Sequence, residues 1–304
     1  EPRVDLMRTY GELRLIEGGT AWEMSSLEPH VAIRLKHIFP RVPKQSTGPF
    51  RFPRDLMHAA DLDWFLSRYP LAMSDGDRNA LRGGRLDFEM QQAEMERILL
   101  PEYVPPAVVG LREGQKVRHY QMQAVELLRR RRSLLLGDEG GLGKTYTAAA
   151  FLCAEAQSLP AAVVCDPHMQ KQWKDKLTAF THLRVHVITK ASPYDLPPAD
   201  VYVFRISQIG GWADIFATGF FKAAVFDEPQ SLRTGTSTAK GAAAKVLANH
   251  VSYRLGLTAT PIYNYGIEMW NVMQFIDDTV LGSFADFSRE WTDDMGRIGD
   301  PKAL

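Results

Sequence analysis

Four side chains in this sequence have the types and order that phosphate chemistry needs. Lys144 and Thr145 close the glycine-rich stretch 137–145, GDEGGLGKT, and Asp227 with Glu228 follow later in the chain. Gly141 and Gly143 let backbone N–H groups converge on concentrated negative charge, and a helix opening at Lys144 would add its dipole. Lys144 would then reach the β- and γ-phosphates of a nucleotide such as ATP, and the Thr145 hydroxyl would ligate Mg²⁺. The usual spelling of such a loop, G-x-x-x-x-G-K-[ST], has glycine where Asp138 stands. A glycine-rich turn between a strand and a helix can also be merely structural. Asp227 and Glu228 directly follow the apolar run 223–226. There Asp227 would hold the Mg²⁺ shell through water, and Glu228 would polarise the water that attacks the γ-phosphate. An acidic pair at a strand end can equally be a solvated turn.

These residues need a scaffold that brings separate strand ends together. Apolar runs predict strands at 133–136, 161–165, 184–188, 201–204, 222–226 and 252–257, alternating with helices at 119–131, 144–156, 168–180, 238–248 and 266–277. Several of the strands are continuously apolar, as strands covered on both faces are. The alternation implies right-handed crossovers, hence an α/β fold with a mostly parallel sheet and helices on both faces. Residues 1–103 have a different texture and predict a small α+β accessory module. In it, two short strands flank Gly18-Gly19, a helix stops at Pro40, and a loop fills 41–53. A second helix carries Leu62, Phe65, Leu66 and Tyr69 on one side, and a last helical stretch is interrupted at Gly83-Gly84. The proline-rich stretch 101–110 reads as a linker before the second domain, 104–304.

The same residues carry a family resemblance. Asp138-Glu139-Gly140-Gly141-Leu142-Gly143-Lys144-Thr145 resembles the phosphate loop D-E-x-G-L-G-K-T of the Swi/Snf-type DNA translocases in helicase superfamily two, so Asp138 is a trait of that branch. Five further segments resemble the family in the same order: VRHYQMQAV, the 161–180 stretch with Pro167, Gln172 and Trp173, VYVFRISQI, the box DEPQ at 227–230, and YRLGLTATPIYN with Thr258, Thr260, Pro261, Ile262 and Asn264. GIEMWNVMQFID resembles the helix that follows. The resemblance implies a RecA-like ATP-binding lobe. In it Gln121 reads the adenine, residues 141–146 (Gly141, Leu142, Gly143, Lys144, Thr145 and Tyr146) bind the nucleotide, Thr145 and Asp227 hold Mg²⁺, and Lys144, Asp227 and Glu228 are catalytic. Gln230, Thr258 and Thr260 would couple nucleotide state to a groove that follows duplex DNA, with Lys171, Arg205 and Ser207 as candidate phosphate contacts. The box departs from the family at Gln230, where histidine is usual, which puts the contact between this box and Thr258 in question. The family also has a second RecA-like lobe with an arginine for the γ-phosphate. The chain resembles an excerpt holding the accessory module and the first lobe.

Composition narrows the alternatives. Lys plus Arg and Asp plus Glu are 36 each, so the chain does not coat nucleic acid by bulk charge, although a local basic groove is compatible. The two cysteines, Cys153 and Cys165, have no metal or disulfide spacing, which suits a reducing cytosolic setting. No apolar run is long enough to span a bilayer. His182 and His186 read as polar positions on a strand. The run Arg129–Arg132 reads as cations closing a helix, and Trp22, Trp64 and Trp212 as core before base-stacking residues. Two other functions remain open: an RNA helicase, and a nucleotide-gated nucleic-acid-binding module without hydrolysis of its own.

Overall fold

The computed structural model describes residues 8–260 and 265–299. The chain divides into two compact units, Glu1–Leu100 and Pro101–Leu304.

In the first unit β1 (Glu12–Ile16) and β2 (Ala21–Ser25) form a hairpin, followed by α1 (Pro29–Ile38), β3 (Phe50–Pro53), α2 (Leu56–Leu66) and α3 (Asp75–Leu99). The antiparallel sheet runs β1-β2-β3. The hairpin turns where Gly18 and Gly19 take φ of 66° and 88°, which other residues rarely adopt. Two expectations fail here for tertiary reasons. The stretch expected as loop ends in β3, because Phe50 and Phe52 alternate with exposed neighbours and pair with Met24 and Trp22 of β2, all four buried. The last helix runs through Gly83-Gly84 without a break. A Cβ at Gly84 would sit 2.7 Å from the Cβ of Ala59, so the glycine permits a close approach of α2 and α3. Tyr69 lies beyond α2 and rests on Phe65, ring centroids 5.1 Å apart. Trp22 is core, whereas Trp64 is exposed beneath the Arg68 guanidinium.

In the second unit the order is α4 (His119–Arg131), β4 (Ser133–Leu136), α5 (Lys144–Ala154), β5 (Ala161–Cys165), α6 (Gln170–Phe180), β6 (Val185–Val187), β7 (Val201–Arg205), α7 (Ala213–Ala217), β8 (Ala223–Asp227), α8 (Ala239–His250), β9 (Tyr253–Leu257), α9 (Gly266–Ile276) and α10 (Phe284–Trp291). The short helices α7 and α10 were not anticipated. The six strands are all parallel, in the order β4-β9-β8-β5-β7-β6. Alternate residues of each strand feed opposite cores. Val163, Val203, Val225 and Leu255 pack with α4, α5 and α6, while Val164, Phe204 and Phe226 pack with α7, α8, α9 and α10. This is the α/β architecture the strand pattern implied, with both faces covered.

Stretch 101–110 has no regular structure, but it is tied down. His119 Nε2 lies 2.6 Å from the Tyr103 carbonyl, and the Gly110 carbonyl accepts from the His182 amide at 2.9 Å. The arginine run closes α4. Arg129 joins the buried Glu126 at 2.9 Å and Glu155 at 3.3 Å, and Arg132 takes a left-handed conformation with its guanidinium 4.5 Å from the Tyr253 ring. His186 lies 2.8 Å from the Tyr194 hydroxyl, and burial with the nearby Lys174 charge holds its pKa below the ordinary value.

Candidate nucleotide site

Every group singled out for phosphate chemistry lies at the C-terminal ends of the parallel strands, where α/β sheets bind ligands. Leu136 pairs with Leu257, and Leu257 pairs with Asp227, so the last residues of β4, β9 and β8 form one row across the sheet. The glycine-rich loop leaves β4 immediately after this row, Thr258 leaves β9, and Glu228 leaves β8. Two interstrand spacings separate the loop's strand from that of Asp227, about 10 Å. A triphosphate with its metal can span that distance.

The loop is built as a cradle. Gly141 and Gly143 have φ of 87° and 78°, and a Cβ at Gly143 would meet the Gln121 amide nitrogen at 2.8 Å. Gly143 caps α5 without any side-chain hydrogen bond, so side chains leave the first-turn amides of that helix to an anion. Lys144 Nζ turns into the loop and donates to the carbonyls of Asp138 at 2.6 Å and Glu139 at 3.1 Å. Thr145 is half-buried beside it. Gln121 is buried. Its amide donates to the Leu142 and Gly143 carbonyls at 3.2 and 3.3 Å and accepts from the Arg118 amide at 3.0 Å. The Tyr120 hydroxyl adds a bond to the Leu142 carbonyl at 2.8 Å, so α4 fixes the loop from one side.

At the other end of the row, burial pushes the Asp227 carboxyl pKa above its ordinary value. The Trp173 indole N–H opposes this, and the negative charges of Glu228 and Asp166 add to it. The Trp173 Nε1 to Asp227 Oδ2 distance is 2.7 Å. Trp173 is fully buried in the core and at the same time orients the carboxylate, a role that its place in the 161–180 segment does not reveal. A desolvated carboxylate among like charges is stabilised by a cation. Oxygen-only donors, one carboxylate and one hydroxyl, suit Mg²⁺, which keeps several of its waters and takes phosphate oxygens. Among the described residues no group of three or more His, Cys, Asp and Glu could hold a metal by itself.

Glu228 adopts φ 50° and ψ 64°, uncommon for a residue with a side chain and especially before a proline. Its amide donates to the Leu257 carbonyl at 2.8 Å. Its carboxylate accepts from the Gln230 amide at 2.6 Å, the Gln230 carbonyl oxygen accepts from the Thr258 hydroxyl at 3.2 Å, and that hydroxyl accepts from the Thr260 amide at 3.0 Å. The contact between the acidic box and Thr258, in question with glutamine at 230, is therefore made. Pro261, Ile262 and Asn264 lie outside the described residues.

The candidate nucleic-acid contacts divide. Arg205 ends β7 on the same sheet edge, with its Nε sealed from solvent and lacking a hydrogen-bond partner among the described residues, and exposed Ser207 follows it. Lys171 is exposed on α6 and paired with Asp175 at 2.8 Å.

The profile of the SNF2-related domain matches residues 62–299, well over half of the chain. The chain belongs to this family. The SNF2-related match reaches back over α3 and the last turn of α2. An uncharacterized ATP-dependent helicase of Mycoplasma pneumoniae is 26% identical over 195 residues, 58% of this chain and 19% of that protein. The TATA-binding protein-associated factor MOT1 of Saccharomyces cerevisiae is 22% identical over 221 residues, 64% of this chain and 12% of that protein. The SWI2/SNF2 ATPase core of Sulfolobus solfataricus in complex with dsDNA superimposes with a TM-score of 0.54 at 25% identity, over 64% of this chain and 43% of that one. The chain thus spans less than half the length of each of these relatives. The resemblance read from the motifs and the RecA-like fold class both hold. No helix among the described residues is long and apolar enough to cross a membrane.

Proposed function

We propose that this SNF2-related domain is the ATP-binding lobe of an ATP-dependent DNA translocase, in which hydrolysis drives movement along duplex DNA against a second RecA-like lobe. The observation that carries the reading is the row Leu136–Leu257–Asp227, which sets the loop and the acidic pair about two strand spacings apart on one edge. Lys144 and the first-turn amides of α5 bind the β- and γ-phosphates. Gln121 lines the base side. Thr145 and Asp227 hold Mg²⁺, which supplies charge neutralisation to the phosphates when bound. Glu228 takes the proton of the attacking water, and Gln230 with Thr258 and Thr260 ties its position to the segment after β9.

A phosphate-rich partner is supported by charge as well as by the dsDNA complex of the similar Sulfolobus core. The chain is neutral overall, yet residues 29–54 hold six Lys and Arg and no Asp or Glu. Arg34, Lys44, Arg51 and Arg54 in this stretch are exposed.

The reading is tested by calorimetric titration of the chain with Mg-ATPγS, and by duplex DNA and RNA binding across a salt series. Lys144→Ala is expected to weaken nucleotide binding by at least about tenfold, the worth of one charge-assisted hydrogen bond. Arg34→Glu with Lys44→Glu should flatten the dependence of log K for DNA on log salt by about one or more. A chain that binds no nucleotide, or a Lys144→Ala variant that binds like the parent, removes the reading. A clear preference for RNA moves it to the helicase alternative.

A further inference from the structure

Lys176 is a half-buried lysine on α6, inside the 161–180 segment but with no role assigned to it there. Three observations place its ammonium at the nucleotide site. The bond from Trp173 to Asp227 pins the preceding turn of α6 at the end of β8. Lys176 Nζ lies 5.7 Å from the ring centroid of Tyr146, the residue directly after Lys144 and Thr145. That ring is braced by Phe180, also on α6, with centroids 5.0 Å apart. The position of Nζ is thus set from two sides, by the core tryptophan and by the first turn of α5. Its positive charge is also felt at Asp227.

The other lysines of α6 face elsewhere. Lys171 pairs with Asp175, and Lys174 is exposed with its charge felt at His186. Among the described residues Lys176 makes no ion pair within 4 Å. Its nearest company is an aromatic face and the more distant Asp227 carboxylate, so the ammonium keeps capacity for an anion. It stands beside a loop whose whole construction favours an anion.

We propose that Lys176 is a further nucleotide-binding residue, a second ammonium supplied by α6 across Tyr146 that binds the polyphosphate alongside Lys144. The assignment rests on the nucleotide reading above. It gives α6 two duties at one site: Trp173 orients the metal-side carboxylate and Lys176 holds the phosphates. It also gives Tyr146 a reason to be aromatic, since its ring faces the ammonium beside Gly143 of the loop.

The test is calorimetric titration of the full chain with Mg-ATPγS, with inorganic pyrophosphate as competitor. Lys176→Ala should weaken both ligands by about tenfold, and Lys176→Arg should restore most of the loss. The loss should shrink as salt rises from about 50 to about 300 mM, because the interaction is screened. Lys174→Ala, on the same helix but directed away from the loop, should bind like the parent. If the alanine variant loses its cooperative unfolding transition, Lys176→Gln, which keeps the stem over Tyr146, takes its place. A Lys176 variant within twofold of the parent for ATPγS overturns the assignment, as does one that weakens ATPγS but not pyrophosphate. Lys144→Ala separates the two levels. If it too binds like the parent, the nucleotide reading falls. If it is weakened and Lys176→Ala is not, only the role of Lys176 falls.

Discussion

The two edges of the six-stranded sheet treat charge in opposite ways. On the N-terminal edge, carboxylates are compensated. Burial alone would raise the Asp277 pKa, but hydrogen bonds from Thr279 and Ser133 outweigh it and hold the group below its ordinary value. Burial is likewise outweighed at Asp278 by Lys245 and Arg254, and Asp200 is held low first by its bond from Arg184. On the C-terminal edge, Asp227 is pushed up, Glu228 sits in a strained left-handed conformation, the Arg205 Nε has no partner among the described residues, and Lys176 faces a ring. One sheet thus carries a satisfied end and an unsatisfied end. The satisfied end holds the fold together. On the proposed reading, the unsatisfied end is where the nucleotide would bind.

The sharpest way to break this contrast is at Glu228. Glu228→Gln removes the proton acceptor and keeps the shape. In a protein carrying both RecA-like lobes, DNA-stimulated ATP turnover should fall by about 10²–10⁴-fold, the range of general base catalysis, while Mg-ATPγS binding by the present chain stays within a few-fold. Turnover at the parental rate would show that the strained glutamate is not the base and that its conformation has another cause.

A smaller effect, of the opposite kind, is expected at Asp277. Its carboxylate accepts from the Ser133 hydroxyl at 2.7 Å and from the Thr279 amide at 3.1 Å. Asp277→Ala should cost about 1 kcal/mol of stability in urea unfolding, the worth of part-buried bonds to a charged acceptor, and leave nucleotide affinity unchanged. The folded pKa is depressed, so this contribution is present above the unfolded value and is lost as pH falls through the folded one. An Asp277→Ala variant with parental stability would mean that the N-terminal edge is not where the fold is held.

Much of this contrast could be read before the structure. The core strands are continuous apolar runs, and Gly141, Gly143, Lys144, Asp227 and Glu228 announce themselves by type and spacing. What could not be read depends on partners distant in sequence. The alignment of Leu136, Leu257 and Asp227 arises because β9, the last strand, inserts between β4 and β8, and no local pattern encodes that order. Trp173 is apolar enough to be read as core, and only the fold shows that its one polar atom is aimed at Asp227. The same limit explains Gly83-Gly84, where local propensity argues for a break and packing against Ala59 overrides it. Compensation on the N-terminal edge was equally hidden, since Ser133 and Asp277 meet across a separation of 144 residues.

The smallest expected effect tests whether the unsatisfied edge costs the fold anything. Asp227→Asn keeps an oxygen for the Trp173 indole and removes the charge. Because the folded pKa of Asp227 is raised, the ionised group opposes folding at pH values above that pKa, and the penalty vanishes below the unfolded value. The amide variant should therefore show a higher Tm than the parent near neutral pH, with the difference closing in acid, while magnesium-dependent nucleotide affinity falls. Asp277→Ala and Asp227→Asn would then move stability in opposite directions from opposite ends of one sheet, as expected where a binding site is kept at some expense to the fold. If Asp227→Asn instead lowered the Tm, the carboxylate would already be compensated in the free protein, and the contrast between the edges would reduce to the backbone strain at Glu228, the Arg205 Nε and Lys176.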